Sequence, residues 1–389
     1  MKKIFVIFLI IIIFLIGNAY VLSKKNTNLE IDSNYEIRGI YISYIEYLEY
    51  FQNNSIEMNK VYINKMLDRI KELNFNTIFL HVSPFSDSIF NSSIFPSTYS
   101  IVLKEGESLG MDYLKYFIEE SHKRNIYLHA WINPYRISSS NDITKLSSNN
   151  IALKYIESGD ASITNNGIYY NPASSNVKDL LLKYIKEILI NYNIDGIHLD
   201  DYFYESNDID LKEYTEYKKI NDVSLKEFRL NIINDTIKSI YKLIKNYNSN
   251  ILFSISPDGN INNNYELHYA DIKTWLQEDN YIDIIMPQIY FGFDNELKPF
   301  DKTIVEWNNL ITNKVKLVPV LALYKSNLID NYAGIGKYEW INNNNIIERE
   351  INYSKIMSNY QGYTLFRYSF LVDEKCQKEV NNLKNIKNR

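Results

Sequence analysis

The sequence predicts an α/β fold, a (β/α)₈ barrel with long loops after strands 3 and 4, preceded by an N-terminal signal or anchor segment. Strand-like and helix-like segments alternate from about residue 36 to the end of the 389-residue chain. Regular alternation of this kind requires a parallel sheet with right-handed crossovers, and eight such units close naturally into a barrel. A doubly wound open sheet is the alternative, but no glycine-rich phosphate loop follows the first strand.

The predicted strands are short apolar runs, many of them rich in β-branched and aromatic residues. In chain order they are Ile37–Tyr44, Thr77–Phe85, Ile126–Tyr135, Asp195–Tyr204, Ile251–Pro257, Ile282–Tyr290, Val315–Tyr324 and Tyr363–Phe370. The predicted helices show apolar residues at helical spacing. They are Val61–Leu73, Met111–Arg124, Val177–Ile190, Leu225–Lys245 and Ile346–Met357. The long connections 134–175 and 205–223 are expected to shape a binding cleft.

The first 25 residues are typical of an export signal or a membrane anchor. Two lysines precede a wholly apolar run from Ile4 to Ile16, and small residues suited to cleavage follow it. The apolar run can also be extended over residues 4–22 to a second pair of lysines, which suits an uncleaved anchor with membrane association. We therefore expect an extracellular or cell-surface protein, with a linker at 26–35 and the barrel domain at 36–389.

Composition excludes some classes of function. The net charge is −5 and no basic stripe is present, so nucleic acid is not an expected partner. Cys376 is the only cysteine of the chain, so an intramolecular disulfide cannot form. We expect a monomer.

The segment from Asp195 to Tyr204 (Asp-Gly-Ile-His-Leu-Asp-Asp-Tyr-Phe-Tyr) is the strongest candidate for chemistry. It predicts a buried strand that ends in two carboxylates followed by three aromatics. His198 and Asp200 share one face of this strand, and a carboxylate at the carboxyl end of a barrel strand is well placed for catalysis. The neighbouring aromatics suit a sugar ring. The alternative is an aspartate that only caps a helix or loop.

Applying the same alternation to the other strands brings further polar side chains to this edge of the sheet. They are Glu46, Asp87, Trp131, Asn133, Arg136, Gln288 and Tyr290. Hydrolysis of a glycosidic bond needs two carboxyl groups, one to protonate the leaving oxygen and one to act as nucleophile or base. Adjacent strand residues point to opposite sides, so Asp200 and Asp201 share a cleft only if the strand ends between them. We therefore rank Asp200 first, with Asp201 or Glu46 as its partner.

Three histidines fall at similar heights on neighbouring predicted strands. His81, His129 and His198 could suggest a metal site, but no His-x-His pair is present and their spacing matches no ligand motif. The preferred interpretation is a polar layer of neutral imidazoles, in which His198 donates to Asp200. No metal and no other cofactor is therefore predicted.

Several motifs occur together in the order seen in one family. They are Arg38–Ser43, His81–Asp87, His129–Arg136, Tyr170–Pro172, Asp195–Tyr204, Ser256–Pro257 and Met286–Tyr290. Over roughly residues 36–320 the chain resembles the glycosyl hydrolase-like 10 family of exported bacterial proteins. The resemblance implies a TIM barrel that acts on a glycan, with peptidoglycan glycan strands as the expected substrate. It also implies functional roles for Asp87, Asn133, Arg136, Asp200, Asp201, Gln288 and Tyr290. Where the family usually has an aromatic after Ser256–Pro257, this chain has Asp258, which either adds a carboxylate to the cleft or caps a turn.

The leading hypothesis is an exported glycoside hydrolase that acts on cell-surface polysaccharide, with Asp200 and either Asp201 or Glu46 as the catalytic carboxylates. Arg136, Asn133 and Gln288 are expected to orient the sugar. Trp131, Tyr202 and Tyr290 are expected to form stacking walls. The alternatives are a glycan-binding barrel without turnover and a metal-dependent polysaccharide deacetylase.

Overall fold

The computed structural model describes residues 35–386 apart from 202, 206 and 207. The predicted signal or anchor segment and residues 26–34 of the predicted linker lie outside the described residues. Residues 36–389 form one compact unit. In the described part of the chain, no helix has both the length and the apolar content that crossing a membrane requires.

The main sheet is parallel and contains ten strands of the described residues. They are β1 (Ile37–Ile42), β2 (Thr77–Ser83), β3 (Tyr127–Ile132), β7 (Gly196–Leu199), β8 (Leu252–Ile255), β9 (Ile284–Ile285), β10 (Gln288–Ile289), β11 (Lys316–Leu317), β12 (Val320–Leu321) and β13 (Gly362–Leu365). A small antiparallel sheet contains β4 (Arg136–Ser138), β5 (Ala161–Thr164) and β6 (Gly167–Tyr170).

The main sheet curls so that its last strand pairs with its first. β1, β2, β3, β7 and β8 lie side by side in chain order, and β13 pairs with β1. The predicted sixth and seventh strands are each interrupted at a proline, Pro287 and Pro319, because proline has no N–H to donate to a neighbour. Hydrogen bonds continue across both gaps: the Val320 N–H donates to the Pro287 carbonyl and the Thr364 N–H to the Pro319 carbonyl, each at 2.9 Å. The predicted α/β fold on a parallel sheet is confirmed.

Helices follow most of the strands. They are α1 (Tyr44–Tyr50), α2 (Ile56–Glu72), α3 (Tyr113–Lys123), α4 (Ala152–Ser158), α5 (Ser175–Asn191), α6 (Leu211–Lys218), α7 (Leu225–Tyr247), α8 (Ile261–Glu266), α9 (Ile272–Gln277), α10 (Phe300–Leu310), α11 (Glu339–Asn342), α12 (Ile346–Ser354), α13 (Ser369–Val372) and α14 (Gln377–Asn382). Short 3₁₀ turns lie at Ile143–Lys145, Leu323–Lys325, Gly334–Gly336, Glu374–Cys376 and Leu383–Asn385. The long helices α2, α5 and α7 begin after Ser55, Ser174 and Ser224, whose hydroxyls accept a first-turn N–H.

The strands are shorter than predicted, and a local hydrogen-bond motif explains where β1 ends. β1 ends at Ile42 because Ser43 caps α1 in a reciprocal capping box with Glu46. β7 ends at Leu199, before both aspartates of the predicted pair. The long connection after β3 does not stay irregular but folds into the small antiparallel sheet and α4.

The start of β7 is tied to its neighbour β3 by side chains. The Asp195 carboxylate accepts the Leu128 N–H at 2.7 Å and lies 2.8 Å from Nε2 of His122. Gly196 is required next, because a Cβ at this position would lie 2.4 Å from Nδ1 of His129. The absence of a side chain at Gly196 therefore makes room for an imidazole in the inner layer of the sheet.

Candidate active site

A cavity of about 180 Å³ lies at the carboxyl edge of the main sheet. Side chains from the ends of seven of the eight predicted strands converge on it, as expected for the site of a parallel-sheet enzyme. The lining residues are Tyr41, Ser43, Tyr44, Ile45, His81, Trp131, Asn133, Arg136, Asp200, Asp201, Ser256, Gln288, Tyr290 and Phe366.

Both aspartates after β7 line this cavity. The strand ends at Leu199, so the alternation of a strand no longer forces the two side chains apart. Asp200 is buried, with 4% of its surface exposed, and its Oδ2 accepts the indole N–H of Trp131 at 3.1 Å. A hydrogen bond donated to a buried carboxylate stabilises its ionised form. Asp200 therefore faces the cavity with its Oδ2 oriented by the Trp131 indole.

Asp201 has a different environment from its neighbour. Burial raises the pKa of its carboxyl above the ordinary value, and Asp258 adds to the increase, whereas His268 and Gln288 oppose it. A carboxyl group with a raised pKa keeps its proton closer to neutral pH, which is what a general acid requires. The pair thus combines one carboxylate stabilised by a donor with one carboxyl that favours its proton.

Trp131 was predicted to offer a flat surface to a sugar. In the structure, its ring is itself stacked on another side chain. Its ring is parallel to that of His81, with centroids 3.6 Å apart and an interplanar angle of 6°. Burial, with Arg136 nearby, lowers the pKa of His81 well below the ordinary value, so the stacked imidazole is neutral. Trp131 is held in place by this stack while its N–H contacts Asp200.

The other histidines form a neutral layer beneath the cavity. Nε2 of His198 lies 2.9 Å from the Tyr41 hydroxyl and its Nδ1 lies 2.8 Å from the Ser254 hydroxyl. Burial lowers the pKa of His198 well below its ordinary value and that of His129 to about 4. The expected hydrogen bond from His198 to Asp200 is replaced by these two contacts, because Trp131 lies against the carboxylate instead.

The amide, guanidinium and phenol groups predicted to orient a sugar also line the cavity. Asn133 donates to the Pro84 carbonyl at 2.9 Å, and Gln288 donates to the Ser256 carbonyl at 2.9 Å. Arg136 lies 4.9 Å from the centre of the Phe85 ring. These two hydrogen bonds fix the orientation of both amide groups at the cavity.

Two predicted site residues lie away from the cavity lining. Glu46 is fully buried: it accepts Ser43 N–H at 2.8 Å and Ser369 N–H at 3.1 Å and forms an ion pair with Arg367. Asp87 is fully buried and accepts the Phe85 N–H at 3.0 Å. Both carboxylates thus contact backbone N–H groups of loops and helix ends, and neither belongs to the cavity lining.

Two further expectations concerned Tyr202 and Asp258. Tyr202 lies outside the described residues. Asp258 caps a turn, because its carboxylate accepts from Asn260 N–H at 2.7 Å and from the Asn263 amide at 2.9 Å. Sequence reasoning missed Tyr41, Ser43, Tyr44, Ile45 and Phe366 as lining residues. Tyr41 could have been found, because it lies in the predicted first strand, where alternation places every second side chain on the inner face.

No group of three or more His, Cys, Asp or Glu side chains within the described ranges is arranged to hold a metal ion. The two ring nitrogens of His198 are both in contact with hydroxyl groups, and His81 lies flat against Trp131.

Comparison with known families gives one match over most of the chain. A family model described as glycosyl hydrolase-like 10 matches residues 36–332. Glycosyl hydrolase YngK of Bacillus subtilis is 31% identical over 320 residues, which cover 76% of this chain and 62% of that protein. Glycosyl hydrolase DigH of Escherichia coli K12 is 26% identical over 388 residues, which cover 90% of this chain and 87% of that protein.

Solved structures share the fold at low sequence identity. The PgaB (BpsB) glycoside hydrolase domain from Bordetella bronchiseptica aligns with a TM-score of 0.59 and 10% identity, covering 90% of this chain and 99% of that one. An endo-1,4-beta-mannanase from Rhizomucor miehei aligns with a TM-score of 0.54 and 13% identity, covering 91% and 96%. At such identities the likeness concerns the fold alone.

Proposed function

Because the chain belongs to the glycosyl hydrolase-like 10 family, we propose that it is an exported glycoside hydrolase that cleaves glycosidic bonds in cell-surface polysaccharide. The peptidoglycan glycan strand is the proposed substrate. The curled sheet would close as a (β/α)₈ barrel, with the predicted sixth and seventh strands each interrupted at a proline. Asp200 and Asp201 would be the catalytic carboxylates.

The observation that carries the proposal is the pair of contrasting aspartates in one cavity. Asp201, whose pKa is raised by burial, would protonate the leaving oxygen. Asp200, which accepts the Trp131 N–H at 3.1 Å, would either attack the anomeric carbon as nucleophile or, as base, take a proton from the water that attacks this carbon. Two carboxyl groups in one cavity, one to protonate the leaving oxygen and one to act as nucleophile or base, are what glycoside hydrolysis needs.

The size and lining of the cavity also support a sugar as ligand. Its volume of about 180 Å³ is below the ~300–1,000 Å³ of a typical ligand pocket, which favours one sugar ring rather than a whole oligosaccharide. Tyr44, Tyr290 and Phe366 offer aromatic surface to the ring, and the Asn133 and Gln288 amides offer hydrogen bonds to its hydroxyls. Arg136 would bind the carboxylate that one of the two peptidoglycan sugars carries.

The test is digestion of peptide-free peptidoglycan strands by the purified protein, with new reducing ends counted and products identified by mass. The proposed hydrolase releases oligosaccharides with new reducing ends. Binding without release would indicate the glycan-binding alternative. Release of acetate without chain cleavage, lost on chelation and restored by zinc, would indicate the deacetylase.

A further inference from the structure

A line of aromatic rings runs outward from the cavity. It begins at Trp131, a lining residue, whose ring stacks on that of His81 with 3.6 Å between the ring centroids. The His81 ring centroid lies 5.9 Å from that of Tyr44, which in turn lies 5.2 Å from that of Phe85. The Phe85 and Tyr99 ring centroids are 5.8 Å apart. These contacts connect the cavity, ring by ring, with a tyrosine that is not among its lining residues.

The outer three rings, those of Tyr44, Phe85 and Tyr99, form the aromatic rim of the cavity. Phe85 is buried at the centre of the rim, with 3% of its surface exposed, whereas both tyrosines are partly exposed. Tyr44 also lines the cavity, and so does Arg136, whose guanidinium lies 4.9 Å from the centre of the Phe85 ring. The aromatic rim therefore continues the cavity wall outward as solvent-accessible aromatic surface.

Hydrogen bonds hold the three residues of the aromatic rim in place. Tyr44 is the first residue of α1, whose start is fixed by its capping box. Asp87 accepts the Phe85 N–H at 3.0 Å. The side-chain amide of Gln52, two residues past the end of α1, donates to the Tyr99 carbonyl at 2.7 Å and so ties the connection after β2 to that after β1. A ligand would meet rings that are already positioned, which lowers the entropic cost of binding.

The aromatic rim suits the face of a sugar ring. A sugar ring has C–H groups on its faces and hydroxyls around its edge, and tyrosine combines an aromatic face with a polar tip. The cavity of about 180 Å³ favours a single sugar ring, so the neighbouring sugars of a strand need surface outside it. The two tyrosines of the rim supply such a surface directly beside the cavity.

We propose that the aromatic rim is a further glycan subsite, which binds a neighbouring sugar ring of the same strand by stacking on Tyr44 and Tyr99. The strand would then run from the two aspartates toward the connections after β1 and β2. The inference rests on the proposed function and adds to it the path of the strand across the protein. Tyr99 is the residue to change, because it belongs to the rim and not to the cavity lining.

The test measures the affinity for peptide-free peptidoglycan oligosaccharides by calorimetry in the Asp200→Asn variant, which should bind without turnover. Calorimetry gives the fraction of binding-competent protein separately from the affinity, so a partly misfolded variant cannot imitate a weakened site. In this background, Tyr99→Ala removes the ring and should weaken binding about fivefold or more, as for an aromatic anchor of a binding surface. Tyr99→Phe keeps the ring and should retain most of the affinity.

Tyr247→Ala is the matched control for the loss of a tyrosine ring. Tyr247 is 42% exposed at the end of α7, shortly before β8 begins at the opposite edge of the sheet. Its removal should leave the affinity unchanged.

Two results would overturn the subsite while release of reducing ends by the wild type still supported the proposed function. One is an unchanged affinity in Tyr99→Ala, and the other is an equal loss in Tyr99→Phe. A loss in Tyr99→Ala that appears only on strands that keep their peptides would assign the aromatic rim to the peptide and overturn the stacked sugar. If the oligosaccharides are neither bound nor cleaved, the proposed function fails together with the subsite.

Discussion

At the scale of single residues, Trp131 connects His81 with the carboxylate of Asp200. Its ring stacks on the neutral His81, and its N–H contacts Asp200. A carboxylate that loses a donated hydrogen bond in a low-dielectric site loses part of its stabilisation. The indole therefore serves to orient the carboxylate as well as to present a flat surface.

Trp131→Phe should lower kcat about 10- to 100-fold with a smaller change in KM, because it keeps an aromatic ring but removes the donor to Asp200. Steady-state rates on peptide-free strands measure this effect. Trp275→Phe is the matched control: its N–H donates to Asn234 at 2.7 Å away from the cavity lining. It should lower the melting temperature and leave kcat near that of the wild type; equal kcat values for the two variants would argue against a special role for Trp131.

Asp87 gives a prediction about stability and pH. Burial raises its pKa from 3.8 to about 7, so the folded state binds this proton more tightly than the unfolded state does. The resulting stabilisation is complete below pH 3.8 and is lost as the pH rises through about 7.

Asp87→Asn cannot ionise, yet its amide oxygen can still accept the Phe85 N–H. Its free energy of unfolding should therefore fall less between about pH 5 and pH 8 than that of the wild type, by on the order of 1–3 kcal/mol. Denaturant titrations at the two pH values check this, and kcat should stay within a few-fold of the wild type. Part of the pH dependence should persist, because burial also raises the pKa of Glu379 to about 7. An unchanged pH dependence together with lost activity would return Asp87 to the substrate-binding set.

The sequence predicted part of this residue-scale picture. Strand alternation correctly placed Trp131, Asn133 and Gln288 on the face that meets the aspartates. It could not predict that Trp131 would contact Asp200 in place of His198, because that choice depends on side-chain packing between strands. Residue type alone also could not show that Glu46 and Asp87 accept hydrogen bonds from backbone N–H groups.

At the scale of elements, the ends of strands matter most for the site. β7 ends one residue before Asp200, which frees both aspartates to face one cavity. β1 ends at Ile42 because Ser43 and Glu46 begin α1, whereas the apolar pattern alone suggested a strand as far as Tyr44. Patterns of apolar residues locate an element well, but its last residue is set by caps and prolines that compete locally.

Glu46→Gln tests whether this carboxylate supports α1 or catalyses. Removing its charge leaves Arg367 without its ion-pair partner and weakens the capping box. The free energy of unfolding should fall by on the order of 3 kcal/mol, while kcat falls far less than for an Asp200 variant. Thermal melts and initial rates of the folded variant separate the two effects. A fully folded Glu46→Gln protein with no turnover would make Glu46 the second catalytic carboxylate.

At the scale of the whole molecule, residues 36–389 form one compact unit. A chain that lacks residues 1–24 should therefore be soluble, monomeric and as active on peptide-free strands as the full-length protein. Size-exclusion chromatography and rate measurements check this expectation. Loss of activity or aggregation of the shortened chain would give the N-terminal segment a structural role.

The alternation of strands and helices was predictable because each unit repeats the same pattern of apolar residues. The small antiparallel sheet after β3 was not predicted, since β4, β5 and β6 are only three or four residues long and lack a long periodic signal. The predicted sixth and seventh strands were expected to be continuous. In the structure each is interrupted at a proline, Pro287 in the sixth and Pro319 in the seventh.

The central claim is that Asp200 and Asp201 hydrolyse a glycan, and the most direct test measures turnover and binding together in Asp200→Asn. On peptide-free peptidoglycan strands, we predict that release of reducing ends falls at least ~10³-fold, while strand binding and the melting temperature stay close to those of the wild type. In the wild type, activity should decline on the alkaline side with a midpoint above 3.8, because burial raises the pKa of Asp201. An Asp200→Asn protein that cleaves the strands at nearly the wild-type rate would contradict the claim.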